Sequence, residues 1–137
     1  MLRTDITLDD LHARQRGTLP DRYGFRLTGL AEGRLASRMQ IEPWMLAPNG
    51  FLHAASVILL ADTTAGYATI AHLPAGARSF TTIELKNNFL GTAREGTLTC
   101  ECTAEHLGRS THVWSATVLD PGQRRIALFR CTQMILQ

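Results

Sequence analysis

The chain has 137 residues, 45% of them hydrophobic and 19% charged, which suits one globular domain with a substantial core, and no second domain is expected. A formal net charge of +2 is too small to argue for a nucleic-acid or membrane partner. The basic residues are arginines apart from Lys86, and arginine suits phosphate contacts, so a phosphorylated ligand stays open.

Residues 1–23 read as a polar N-terminal extension of that single domain, 1–137. Within it Thr7 and Asp10 outline a capping box for a short helix from Leu8 to about Arg16, ended by Gly17 and Pro20. From Gly24 to Ile41 two extended segments flank the turn Ala31-Glu32-Gly33. Pro43, Pro48 and Asn49-Gly50 then interrupt regular structure. The stretch from Asn49 to Ala71 carries a helix that is apolar nearly all round, as expected of one buried on most of its circumference. His53, Ser56 and Asp62 break its apolar run too often for a bilayer span.

Asp62 is the anomaly of this helix, because an ionised carboxylate in such surroundings costs several kcal/mol unless paired, hydrogen-bonded or opened to water. An acid satisfied by Lys86 or an arginine is the structural alternative. After a turn at Pro74 and Gly76, Thr81, Ile83, Leu85 and Phe89 alternate with polar neighbours, the period of a half-buried strand. Gly96 to Leu107, Arg109 to Leu119 and Arg125 to Leu136 follow as strands joined by short turns, which predicts an antiparallel meander and an α+β fold. Three cysteines, Cys100, Cys102 and Cys131, close no disulfide set and lack zinc-ligand spacing, so they read as buried thiols of a reducing compartment. The N-terminus has no charged segment followed by an apolar core, and the expected location is the cytoplasm.

The order Asn49-Gly50, Leu52-His53, Leu60-Ala61-Asp62, Asn88-Phe89-Leu90, Gly96, Gly108-Arg109 and Thr132, preceded by Glu32-Gly33-Arg34, resembles the hot-dog-fold acyl-CoA thioesterases. The likeness runs from about Leu30 to Met134 and is to the phenylacetate-degradation and 4-hydroxybenzoyl-CoA type. It implies one long helix wrapped by an antiparallel sheet of five or six strands, and dimers that pair again into tetramers. It also implies hydrolysis of an acyl-CoA thioester without metal or separate cofactor, coenzyme A being part of the substrate. On that likeness Asp62 is the general base or nucleophile, Thr82 helps hold the attacking water, and the backbone N–H of Ala54, beside His53, polarises the thioester carbonyl. The chain departs from the pattern by carrying Ala54-Ala55 after His53 where His-Gly-Gly is usual, and Ala47 where many relatives have Asn.

Four further positions are candidates for the substrate. Asn49 and Gly50 precede the helix, where Asn49 either contacts substrate or shapes the turn. Gly66 lies one helical turn beyond Asp62 and makes room either for an acyl group or for close packing. Arg109 is placed to meet a phosphate of the CoA arm. No Gly-x-Ser-x-Gly elbow, phosphate loop or His-x-x-x-His spacing competes. A non-catalytic acyl-CoA binding module and a hot-dog hydratase or dehydratase remain as alternatives. Nine residues separate His53 from Asp62, about 13 Å of helix and opposite faces, so a reaction using both ends requires two chains.

Overall fold

A computed structural model describes residues 1–137. Helix α1, Leu8–Arg14, opens on the expected capping box: the Asp10 N–H donates to the Thr7 hydroxyl and the Thr7 N–H to the Asp10 carboxylate. It stops short of Arg16, and Pro20 ends nothing. Pro20 lies in a second short helix, α2, Leu19–Arg22, at the first turn, where a missing N–H leaves no hydrogen bond unmade.

Strands β1, Arg26–Ala31, and β2, Arg34–Gln40, form the first hairpin, with Gly33 at φ +66° in its turn. A single 3-10 turn, Pro43–Met45, leads to the central helix α3, Ala54–Ala71. Four strands follow: β3, Ser79–Phe89; β4, Thr97–Leu107; β5, Thr111–Leu119; and β6, Arg125–Leu136. The six strands make one antiparallel sheet in the order β1-β2-β4-β5-β6-β3. This is the hot-dog arrangement, with α3 packed against β2 to β6. The core between helix and sheet holds Trp114, Leu35, Met39, Leu60 and Leu98, all fully buried.

The expected meander holds only for β4, β5 and β6. Strand β3 does not pair with β4, although the chain runs directly from one to the other. The connection 90–96 is too long for a tight hairpin, and its Leu90 N–H donates to the Ile126 carbonyl, carrying the chain past β6. Strand β3 therefore ends up on the outer side of β6.

The two sheet edges are treated differently. At the β1 edge, α1 and its C-cap supply partners: the Leu27 N–H donates to His12 Nε2 at 2.9 Å, and Gln15 Nε2 donates to the carbonyl of Phe25, just before β1, at 2.9 Å. At the β3 edge no other element supplies a backbone partner, and the half-buried reading of this strand is corrected. Only Phe80 and Asn87 are even partly buried, while Ile83 is 51% exposed and Phe89 47%. An exposed, apolar, unpaired edge is a template for pairing with another chain.

Three histidines are held neutral by the fold. His72 Nε2 accepts the Gly33 N–H at 2.9 Å, and its Nδ1 donates to the Ala68 carbonyl at 2.7 Å, so protonating Nε2 breaks the first bond. Burial, the main cause, lowers the pKa of His12 and of His72, and takes His112, packed beside Trp114, down to about 4. The unfolded chain binds these protons near pH 6.5, so stability is complete above that pH and is lost as pH falls toward 4. We expect a loss of about 2 to 3 kcal/mol from His112 alone by pH 4.5, seen as a falling melting temperature from pH 7.5 to 4.5. A flat profile would show that these rings are not neutral by necessity.

Candidate active site

Twelve of the 18 residues of α3 are buried. The N-terminal residues Ala54 and Ala55 are exposed, and Ile58, Asp62 and Thr63 continue the opening as part-buried positions. Ala55, Ile58 and Asp62 are spaced by three and four, which is one helix face. His53 itself lies outside the helix, as its N-cap with extended backbone, so the opposite-face count does not hold; the axial separation does.

The preceding loop is built to start this helix. Asn49 Oδ1 accepts the Phe51 N–H at 3.2 Å, and Gly50 takes φ +84°, the left-handed region that glycine occupies without strain. Ala47 and Phe51 close the turn through a 2.7 Å backbone bond. Asn49 and Gly50 thus serve the turn, with Asn49 spending its side-chain oxygen there. The Leu52 N–H donates to Thr92 Oγ1 at 3.1 Å, and the His53 N–H to the Met45 carbonyl at 3.1 Å. His53 Nδ1 accepts the Ala55 N–H at 2.9 Å, which places the ring proton on Nε2. The Ala54 N–H has no partner in the chain. It is a free donor at the positive end of a long helix, where developing negative charge is favoured.

Asp62 takes part in none of the five ion pairs and makes no hydrogen bond; Lys86 does not reach it. Its Oδ1 is shut off from solvent and unpartnered. Burial alone pushes its carboxyl above the usual range. No cation or hydrogen-bond donor of its own chain satisfies the acid. Its charge is felt by Cys131 on β6, whose thiol burial pushes up to about 12, and Cys100 is likewise held near 12. All three cysteines are buried and free.

Gly66 lets α3 approach β3: a Cβ there would stand 3.1 Å from Phe80 Cζ. The room read as space for an acyl group is occupied by the Phe80 ring. Thr82 lies two residues further along the same strand and donates its hydroxyl hydrogen to Gln133 Oε1 at 2.9 Å. In the sequence Gln133 is marked only as a glutamine on the buried side of an otherwise apolar alternation. Arg109 is exposed in the β4–β5 turn, on a cleft of about 670 Å³ lined also by His72 and His112. That cleft sits at the C-terminal end of α3, about 15 Å along the axis from Asp62. Within one chain Arg109 does not join the Asp62 group. Near the other end Phe51, 47% exposed and with Arg94 stacked over its ring at 5.3 Å, leaves apolar surface beside His53.

Residues 49–127, which span the turn, α3 and the strands β3 to β5, match the thioesterase superfamily. The chain belongs to that superfamily. It is 28% identical over 134 residues to a 1,4-dihydroxy-2-naphthoyl-CoA hydrolase of Escherichia coli, covering 96% of each protein. It is 26% identical over 134 residues to the proofreading thioesterase EntH of Cronobacter turicensis, covering 96% of this chain and 95% of that one. Among solved structures it resembles a mutant thioesterase PA1618 from Pseudomonas aeruginosa, with TM-score 0.92 and 26% identity over 98% of this chain and 97% of that one. The Escherichia coli PaaI protein, of the phenylacetic acid degradation operon, shares the fold at TM-score 0.83 and 23% identity, covering 94% of this chain and 92% of that one. This thioesterase-superfamily chain is an enzyme of the thioester hydrolase kind.

Proposed function

We propose that the enzyme hydrolyses a small or medium acyl-CoA, aromatic or aliphatic, to free acid and CoA, in a site shared by two chains. The observation that carries this reading is the unpaired, part-buried Asp62 on the one open face of a helix whose first N–H is free. A carboxylate with a raised pKa is a better base toward water than an ordinary one. In this reading Asp62 acts as general base or nucleophile at the thioester carbon, Thr82 helps hold the water, and the Ala54 N–H stabilises the oxyanion. His53 sets the helix start and offers its Nε2–H nearby.

Eight residues of helix separate Ala54 from Asp62, about 12 Å. One carbonyl cannot meet both, because reacting atoms stand about 3 to 3.5 Å apart. A two-fold dimer through the open β3 edge brings the Ala54 end of one helix toward the Asp62 of its mate and makes two equivalent sites. Such a dimer also covers Ile83, Leu85 and Phe89, and a dimer of dimers follows on the resemblance. Arg109, remote from Asp62 in its own chain, contacts the CoA phosphates only from a neighbouring subunit. The curated relatives named for naphthoyl-CoA favour an aromatic acyl group; the phenylacetate and 4-hydroxybenzoyl-CoA type rests on the sequence resemblance. We place the enzyme in the cytoplasm, where its three thiols stay reduced.

Free-thiol release from a panel of aromatic and aliphatic acyl-CoAs tests this function. Release with at least one member is expected; binding without release would mean an acyl-CoA binding module, and a modified acyl chain on an intact thioester a hydratase. On the best substrate Ala54→Gly should be as fast as wild type or faster. Ala54→Val should be slower by about 10² where bulk displaces the carbonyl from its donor. Equal rates for the two variants would place the thioester elsewhere.

A further inference from the structure

We infer that Gln133 is a positioning residue that fixes the direction of the Thr82 hydroxyl, so that Thr82 accepts a hydrogen bond from the attacking water. The inference rests on the proposed role of Asp62. Gln133 is fully buried on β6, opposite Thr82, where a bulge between Thr82 and Glu84 shifts the register of β3. Its carboxamide meets one side chain at each end. Nε2 donates to Cys131 Sγ at 3.4 Å, and Oε1 accepts from Thr82 Oγ1 at 2.9 Å. A hydroxyl has one hydrogen, and once it is committed to Gln133 only lone pairs remain on the side facing α3.

Thr82 and Asp62 stand at the same level of the helix–strand interface. Helix and strand run in opposite directions, tied at one end by Leu52 to Thr92 and near the other by Gly66 against Phe80. From the Gly66–Phe80 contact, Asp62 is four helical residues away, about 6 Å. Thr82 is two strand residues away in the same direction, about 6.6 Å. Thr82 and Phe80 pair with the buried Gln133 and Ile135, so both face the helix.

A water held there gives one hydrogen to the Asp62 carboxylate and the other to Thr82 Oγ1, and keeps a lone pair for the carbonyl carbon. A Thr82 hydroxyl free to turn would instead donate to that lone pair and blunt the attack. As the C–O bond forms, the water proton passes to Asp62 and the carbonyl electron pair to the oxyanion. Collapse breaks the C–S bond, and the departing CoA thiolate takes the proton from Asp62.

The experiment is steady-state hydrolysis of the best acyl-CoA by Gln133→Met, Thr82→Val, Thr82→Ser and the double variant Gln133→Met/Thr82→Val. Gln133→Met and Thr82→Val are each expected to lower kcat about tenfold with KM within about twofold, and the double variant no further. Thr82→Ser keeps the hydroxyl and should keep kcat. Should Gln133→Met fail to fold, Gln133→Asn, one methylene shorter, must show the same split. Equal losses from Gln133→Met in both Thr82 backgrounds, or none in a protein that melts normally, would overturn the inference. Asp62→Asn in the same series separates the failures. An inactive Asp62→Asn beside an unaffected Gln133→Met overturns the inference alone, whereas an active Asp62→Asn overturns the reading beneath it too.

Discussion

Replacing Asp62 with alanine or asparagine is expected to lower kcat by about 10³-fold without loss of stability. A positioned base contributes about 10² to 10⁴ in rate. Asp62 has no ion pair or hydrogen bond to lose, so little within the fold depends on its charge. The sign of its pKa shift gives the stability effect. A folded carboxyl raised by burial binds its proton more tightly than the unfolded one, so ionisation above the ordinary carboxylate range subtracts from stability. Neutral side chains at this position remove that penalty, and the melting temperature at pH 7 should stay level or rise. The same shift sets the acid limb of the pH–rate profile, since activity is lost as Asp62 protonates above the ordinary carboxylate range. Thermal melts beside kcat and KM check the pair of effects. An Asp62→Ala protein that unfolds, with activity following only the folded fraction, would make the acid structural.

Local chemistry made most of the elements legible. The capping box at Thr7, the buried helix within the stretch from Asn49 to Ala71 and the strands β4 to β6 lie where periodicity and turn residues put them. The placement of β3 was not legible, because its neighbour is chosen by how far the 90–96 connection reaches and not by the strand's own pattern. Its alternation predicts half-burial only where the apolar residues are covered within the chain, whereas Ile83 and Phe89 remain open. The anomaly at Asp62 was visible from its apolar flanks alone. Gly66 and Asn49 each admitted a packing or turn role as well as a substrate role. Within the chain Gly66 stands against the Phe80 ring and Asn49 accepts the Phe51 N–H. Gln133 escaped notice because its importance depends on the cross-strand partner, Thr82, that register supplies.

The shared site is the central claim, and mixing two inactive chains tests it most directly. One chain carries Asp62→Ala and keeps a working Ala54 end; the other carries Ala54→Val and keeps its Asp62. Each alone forms dimers in which both sites have one lesion. After the two are unfolded and refolded together, random pairing makes about half the dimers mixed, and every mixed dimer has one intact site and one with both lesions. The account predicts recovery of about a quarter of wild-type activity, set by the number of intact sites. If each chain instead held a complete site, mixing would restore nothing. Activity no greater than the sum of the two inactive proteins, in a sample where mixed dimers are demonstrated, would contradict it.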